Sequence, residues 1–418
     1  MPSEHTYDSR RLRQWLRGDA SGFSRRDLLK LTAAVGTLGA TTAAGHPVDG
    51  TTATGPAAGA DPAGPIVKPL PPDKFTVLGT NAEMRWSAMR DQGHLVPIDR
   101  FFVRNHTRTP IIDAGYWRLE VTGPGLRGGP ASFSYRELRR LPAETITVPV
   151  ECAGNARSYY TSQQGQTVTG TAWHLGAVGL ARWRGVRLGT VLRRAGLSSR
   201  AVDVLPVGLD PHFVTGGVDL GPVRRPIPIR KALNDVLLAY EMNGEPLPPD
   251  HGHPVRLVVP GWIGIASIKW VGRIEVSDQP LFTPWNTQFY RLFGPTFPAD
   301  GQPFDEQVVK SAFELDHEAV LPAGRPVRLT GRSWSAHGPI RTVEVSTNGG
   351  ATWHRAHPIG PGTGWQRWEI TVRPSTPGRT ELLARATDVR GNTQPDTATY
   401  NTLGYLFDAV VRHPVTVA

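Results

Sequence analysis

The chain has 418 residues, a formal net charge of +10, 46 Gly, 38 Pro and one cysteine. The length admits two domains with well-buried cores, and the Gly and Pro content points to a turn-rich strand architecture rather than a helical bundle. A single cysteine excludes an internal disulfide, a zinc ribbon, a CxxCH haem attachment and a CxxC redox pair, and no dense Lys/Arg run with interleaved aromatics marks the chain as nucleic-acid binding. The first 44 residues carry seven Arg/Lys against four Asp/Glu, so the remainder keeps a charge of +7, a surplus that suits anionic substrates or acidic partners.

Ser24 to Lys30 reads SRRDLLK and runs into LTAAVGTLGATTAA, ahead of His46-Pro47. Paired arginines, a short mild apolar run and small residues at a cleavage point resemble a twin-arginine export signal. The apolar run is about 14 residues, short of the ~18–20 that form a stable membrane span. Gly36 and Gly39 interrupt the alternative, a basic amphipathic helix. Residues 1–44 are read as a signal peptide, which implies a periplasmic or other extracytoplasmic protein without a stable membrane span. Residues 45–72, small, Pro-rich and aperiodic, read as a flexible linker.

Residues 73–298 form the first domain. In Phe101–His106 (FFVRNH), alternation puts Arg104 and His106 on one face and Phe101 and Val103 on the other. A cation on an inward face calls for an anion; the alternative is an edge strand with Arg104 in solvent. GPGLRG, 123–128, fits GxGxxG, but Pro124 and Gly129-Pro130 make it a turn. SYRELRRLP is a short helix capped by Ser132 or Ser134. Ile146, Val148, Val150 and Cys152 then alternate with polar residues, so the thiol shares a strand face with three aliphatic side chains. Gly154-Asn155 follows as a turn. A thiolate there, beside Arg157, suits a soft metal; the alternative is a buried structural cysteine.

ARWRGVRLGTVLRRAGL reads as a helix with Leu188, Val191 and Leu192 packed in the core. Asp210 ends a strand, and DHGHPVR and SIKW lead into further strands. His251 and His253 lack a third ligand at zinc-motif spacing. Arg, Lys and His converging from such loops suit a pyrophosphate instead. Residues 299–418 change character: short alternating segments separated by turns, with Asn348-Gly349 as a type I′ hairpin signal, argue for an Ig-like sandwich. Trp334, Trp353, Trp365 and Trp368 are core or interface anchors, and no catalytic constellation is visible in this part.

CAGNARS resembles the cysteine motif of the sulfite oxidase family of molybdopterin enzymes. FVRNH, the run LLAYEMNGEPLPPDHGHPVRLVVPG with SIKWVG, WNTQFYRLF and GRSWSAHGPIRTVEVSTNGGATW are similar to the same family. The resemblance implies an α+β chain: a mixed α/β molybdopterin domain followed by an all-β Ig-like sandwich that mediates homodimerisation. It implies that Cys152 is the protein ligand to molybdenum. Phe102, Val103, Arg104, Asn105, His106, Asp210, His251, Arg256, Ser267 and Lys269 would contact the pterin. Tyr290 would be the active-site tyrosine, with Arg104 and Arg157 binding the oxyanion. Two positions depart from the family pattern: Ala156 stands for the first of two arginines, and Leu403 for a pocket arginine. The expected activity is oxidation of sulfite to sulfate, with electrons passed to a separate acceptor, a cytochrome c or oxygen, since no haem site is encoded. The alternatives are a molybdopterin reductase of sulfoxides or other S- or N-oxides and, in a different class, an exported cofactor-free module binding acidic partners.

Overall fold

The computed structural model describes residues 64–418; the SRRDLLK segment and the linker as far as residue 63 lie outside the described residues. Two sheets build the first domain. One runs in the order Ile227–Pro228, Asp203–Gly208, Val271–Ser277, Arg118–Thr122, Ala131–Ser134, with only its Val271–Ser277/Arg118–Thr122 pair parallel. The other is antiparallel, in the order Glu245–Pro246, Leu237–Met242, Val178–Arg187, Ala143–Glu151, and Arg256–Val258 also pairs with Leu237–Met242. Leu119, Val121 and Ile274 of the first sheet meet Val186, Leu238 and Leu257 of the second in a shared apolar core. Among the described residues no helix is long and apolar enough to cross a membrane.

Local chemistry explains where the sequence reading held and where it failed. Ser134, not Ser132, caps the helix Tyr135–Arg139, exchanging hydrogen bonds with Glu137 in a capping box. Gly123–Gly128 is a turn. The expected helix from Ala181 is corrected: Val178–Arg187 is a strand, because Arg182 and Arg184 face outward while Trp183 and Gly185 are buried. Only Leu188–Arg194 is helical. FFVRNH is irregular extended chain, held by one bridge between Val103 and Ala82. The flexible linker is corrected at its end: Val67 and Lys68 donate their backbone N–H groups to the two oxygens of Asp250, at 3.0 and 2.7 Å, so the chain is docked before residue 72.

The C-terminal part is an all-β sandwich. Lys310–Phe313, Val327–Trp334, Gln366–Val372 and His357–Ile359 form one sheet; Ala319–Leu321, His413–Val417, Gly378–Asp388, Ile340–Ser346 and His354–Arg355 form the other. Trp334, Trp365 and Trp368 are buried, and Arg385 covers the half-buried Trp353 ring. The Asn348-Gly349 hairpin exists, but its loop spans residues 347–353. Gly349 and Gly350 take positive φ and Asn348 does not, so the turn is not type I′.

The two domains share a core. Trp334 and Trp365 pack with Met84, Trp86 and Trp183, and Phe407 and Val411 return to the same cluster. At its centre Glu151, next to Cys152, is buried with Lys310 of the sandwich: Nζ to Oε1 is 2.7 Å. The same carboxylate accepts from Trp334 Nε1 (2.9 Å) and Asn155 Nδ2 (2.9 Å), and Lys310 also donates to the Asn155 carbonyl. Removing one partner of a buried pair strands the other charge. Lys310→Met is expected to cost about 3–5 kcal/mol in urea unfolding, and adding Glu151→Gln to recover most of it; equal losses in the single and double variants would contradict this reading.

Candidate active site

Cys152 follows the end of the strand Ala143–Glu151; its N–H donates to the Ala177 carbonyl at 2.9 Å. The thiol borders two adjoining cavities. Both are also lined by Arg104, His106 and Tyr290. The inner one encloses about 720 Å³ free of protein atoms and the outer about 1090 Å³, part of each open to solvent. These are the dimensions of small-molecule sites.

The inner cavity gathers most of the residues singled out in the sequence. Phe102, Asn105, Asp210, His251, Arg256, Ser267 and Lys269 line it together with the four shared residues. Val103 does not: it is buried with Phe75 and Ala82. Arg157 lines only the outer cavity. Three members serve mainly as scaffold. Arg256 lies over the Trp183 ring and spends its donors on the carbonyls of Leu257, His251 and Ser267. Ser267 Oγ accepts from the Val259 N–H. Asn105 accepts from Lys269 Nζ through its side-chain oxygen and donates to Thr109.

Charge in this chamber is unbalanced. Burial drives Lys269 well below the usual lysine range, and Arg256 reinforces the shift; burial brings Arg256 itself down to about 9. His251 and His106 are held well below 6.5 by burial first and by neighbouring cations second. Trp285 donates its indole N–H to His106 Nε2 at 3.2 Å, which leaves Nδ1 as the protonated nitrogen of a neutral ring. Burial raises Asp210 above the usual carboxylate range, and Asp250 supplies a second carboxylate to the lining. Arg104 Nη1, His251 Nε2 and Asp210 Oδ1 are buried without a hydrogen-bond partner. Orphaned polar atoms of this kind are costly unless a ligand meets them. Two donors or donor-capable nitrogens, an acceptor and the basic side chains of Arg104, Arg256 and Lys269 fit the phosphate and the hydrogen-bonding heterocycle of a pterin cofactor, and the single thiol fits its metal.

The outer cavity holds what sequence reasoning missed. Tyr405 stacks on Tyr290 with centroids 5.2 Å apart, so the C-terminal part contributes a second side chain to the site beside the expected Leu403. Burial raises the Tyr290 hydroxyl above its usual range, keeping it a neutral phenol. Arg157 is fixed: Nε donates to the Leu403 carbonyl at 2.9 Å and Nη1 to the Thr171 carbonyl at 2.8 Å. A Cβ at Gly154 would lie 2.5 Å from its Cζ, and one at Gly404 2.7 Å from its Cγ. Ala156 is wholly buried with φ of +77°, among Trp173 and Tyr160. Among the described residues no group of three His, Cys, Asp or Glu is placed to hold a metal, so the His251/His253 zinc alternative has no support there.

A separate interdomain cleft brings together Glu83, His174, His317 and His413, which no spacing in the sequence announced. Glu83 accepts from the His174 ring at 2.7 Å and raises its pKa, a contribution fully present below 6.5 and lost only as pH rises through the folded value. Burial instead lowers His413 to about 4, so its neutral form is favoured and stability is lost as pH falls from 6.5 through 4.

Two family matches cover most of the chain: residues 106–285 match the oxidoreductase molybdopterin binding domain, and 305–418 the Mo-co oxidoreductase dimerisation domain. Mitochondrial sulfite oxidase of Mus musculus is 35% identical over 342 residues, 76% of this chain. The aligned region spans only 61% of that mouse protein. Sulfite oxidase of Arabidopsis thaliana is 31% identical, with 80% of this chain and 92% of that protein covered. The crystal structure of the sulfane dehydrogenase SoxCD from Paracoccus pantotrophus superposes with a TM-score of 0.67 at 25% identity, over 82% of this chain and 85% of that one.

Two outcomes follow from this geometry. Gly154→Ala is expected to dislodge Arg157 and weaken sulfate binding about tenfold to a hundredfold, the scale of one lost charge-assisted bond, read by calorimetry. His413→Gln, which keeps a donor for the Asp316 carbonyl, is expected to flatten the loss of stability between pH 6.5 and 4. That loss is at most about 3 kcal/mol in the parent protein, and denaturant titration at each pH measures it.

Proposed function

Because the chain belongs to the sulfite oxidase family of molybdopterin-dependent oxidoreductases, we propose that it oxidises sulfite to sulfate and delivers two electrons to an external acceptor, a cytochrome c or oxygen. The observation that carries this reading is the place of Cys152: the only thiol of the chain borders both a cation-rich inner chamber and an outer cleft with two guanidinium groups. The bound molybdenum cofactor supplies the oxygen-atom transfer and the two-electron redox change. The chain does the rest. Lys269 and His251 would hold the anionic end of the cofactor, with Arg256 bracing the His251 and Ser267 backbone beside them, and Asp210 would offer an acceptor to its heterocycle. Arg104 and the free end of Arg157 hold the substrate oxyanion and stabilise charge that develops on its oxygens. Tyr290, kept neutral, donates its hydroxyl proton in a hydrogen bond to an oxygen at the reacting centre.

The orphaned Arg104, His251 and Asp210 atoms line an enclosed chamber beside the thiol, which suits a small cofactor better than the surface of a module that binds acidic polymers or proteins. The match of residues 305–418 to a dimerisation domain supports a homodimer. SRRDLLK and the apolar run after it support export by the twin-arginine route to an extracytoplasmic space.

Purified protein is expected to contain molybdenum by elemental analysis and to reduce ferricyanide with sulfite. Cys152→Ser is expected to lose at least about a hundredfold in turnover, since even partners outside the metal's own ligands typically contribute tenfold to a hundredfold. Faster reduction of methionine sulfoxide by a reduced dye than oxidation of sulfite would move the assignment to an S-oxide reductase.

A further inference from the structure

The outer cleft is larger and more apolar than a small inorganic oxyanion requires. Around Arg104 and Arg157 its wall is formed by Trp173, Phe213, Phe289, Leu403 and Tyr405. Phe213, Phe289 and Leu403 are only half-buried, so their free surface remains available to a ligand in the cleft. Phe213 enters from the short hairpin of Val214–Thr215 and Val218–Asp219, whose Val214 is exposed. The charged equipment is limited to two guanidinium groups, Arg104 and Arg157. Arg157 has Nε and Nη1 committed to the Leu403 and Thr171 carbonyls, which leaves Nη2 as its free end. The remaining polar side chains of the cleft apart from Tyr290, Tyr405 and His106 are threonines, which are neutral. A dianion with three oxygens leaves Trp173, Phe213, Phe289 and Leu403 without a partner. A monoanion with two oxygens and an organic group uses both parts: the oxygens face the guanidinium groups and the organic group covers the rings.

We propose that the cleft accepts organic sulfinates, R–SO₂⁻ with an apolar R group, as substrates alongside sulfite. The proposal rests on the reading that this centre oxidises sulfur oxyanions. A sulfinate carries the same sulfur lone pair as sulfite, and the step balances in the same way. One S–O bond forms at that lone pair with oxygen derived from water, so R–SO₂⁻ and H₂O give R–SO₃⁻, two protons and two electrons. The electrons leave one at a time to an external one-electron acceptor, and no C–S bond breaks.

The test uses purified holoenzyme with ferricyanide as acceptor, and compares kcat/KM for sulfite and benzenesulfinate. Benzenesulfinate is expected to reach at least about one-tenth of the sulfite value. Calorimetry is expected to show benzenesulfonate bound at least about tenfold tighter than sulfate. A lower kinetic ratio, with sulfite still turned over, overturns the proposal and leaves sulfite oxidation standing. Oxidation of neither compound overturns the reading of the reaction. The binding comparison then judges the cleft separately, and benzenesulfonate binding no tighter than sulfate overturns the proposal there too. Leu403→Arg, which places a cation on the apolar wall, is expected to shift the kinetic ratio at least about tenfold toward sulfite. An unchanged ratio in a folded variant counts against the wall as the specificity element.

Discussion

The loop that carries Cys152 is anchored by a buried ion pair whose members belong to different domains. Glu151 comes from the last position of a strand in the first domain, and Lys310 from the first position of a strand in the sandwich. Taking both charges out of water is costly, and the pair is tolerable because further hydrogen bonds support it: Trp334 and Asn155 donate to the carboxylate, and Asn155 closes the ring through its own carbonyl. Asn155 also accepts from Ala177 N–H at 2.9 Å, and Ala177 accepts from the N–H of Cys152. The position of the thiol is therefore set by contacts that cross the domain boundary. A rigid interdomain core is a condition of the site.

A second network of the same kind fixes the other side of the chamber. Asp250 receives backbone donors from Val67 and Lys68 and a hydroxyl from Thr109, while its carbonyl receives Lys269. Lys68, brought down to about 8 by burial, in turn donates to the carbonyls of Ile98 and Phe101. The segment entering the fold thus braces both the FFVRNH chain and the loop of His251. Buried polar atoms without a partner occur elsewhere too, but three of them, Arg104 Nη1, His251 Nε2 and Asp210 Oδ1, belong to side chains that line this one cavity. Their convergence on one chamber, from three separate loops, is what marks a ligand site.

Sequence reasoning reached the residues whose surroundings are local. The strand and turn around Cys152 were legible because a period of 2 runs through Ile146, Val148 and Val150 into a Gly-Asn turn, while its place in the site came from the resemblance of CAGNARS; the helix at 135–139 was legible because its cap and Glu137 are three residues apart. It failed where long-range partners decide the outcome. Arg182 and Arg184 suit a helix in isolation, but pairing with Thr145 and Thr147 on one side and with Glu241 on the other makes them the outward face of a central strand. Asp250 gave no signal at all, since its partners lie 141 to 183 residues away. Tyr405 was hidden because the chain leaves the sandwich, contributes to the cleft, and returns to it as His413–Val417, an excursion that no composition change marks; Leu403 beside it was reached only through the family resemblance.

That excursion explains how the two guanidinium groups of the cleft differ. Arg157 is enclosed by backbone: carbonyls of residues 171 and 403 take its donors, and glycines at 154, 170 and 404 leave the only room in which its side chain fits. Its conformational entropy is already lost in folding, so little more is lost when an anion arrives. Arg104 stands on irregular chain with Nη1 buried and unmet, so a ligand that reaches it relieves a cost present in the empty cleft. One cation is therefore pre-positioned by the sandwich's returning chain, while the other gains its partner only on binding. A substrate must span both to collect the two contributions, which places its anionic end beside Cys152 and Tyr290, where the two cavities meet.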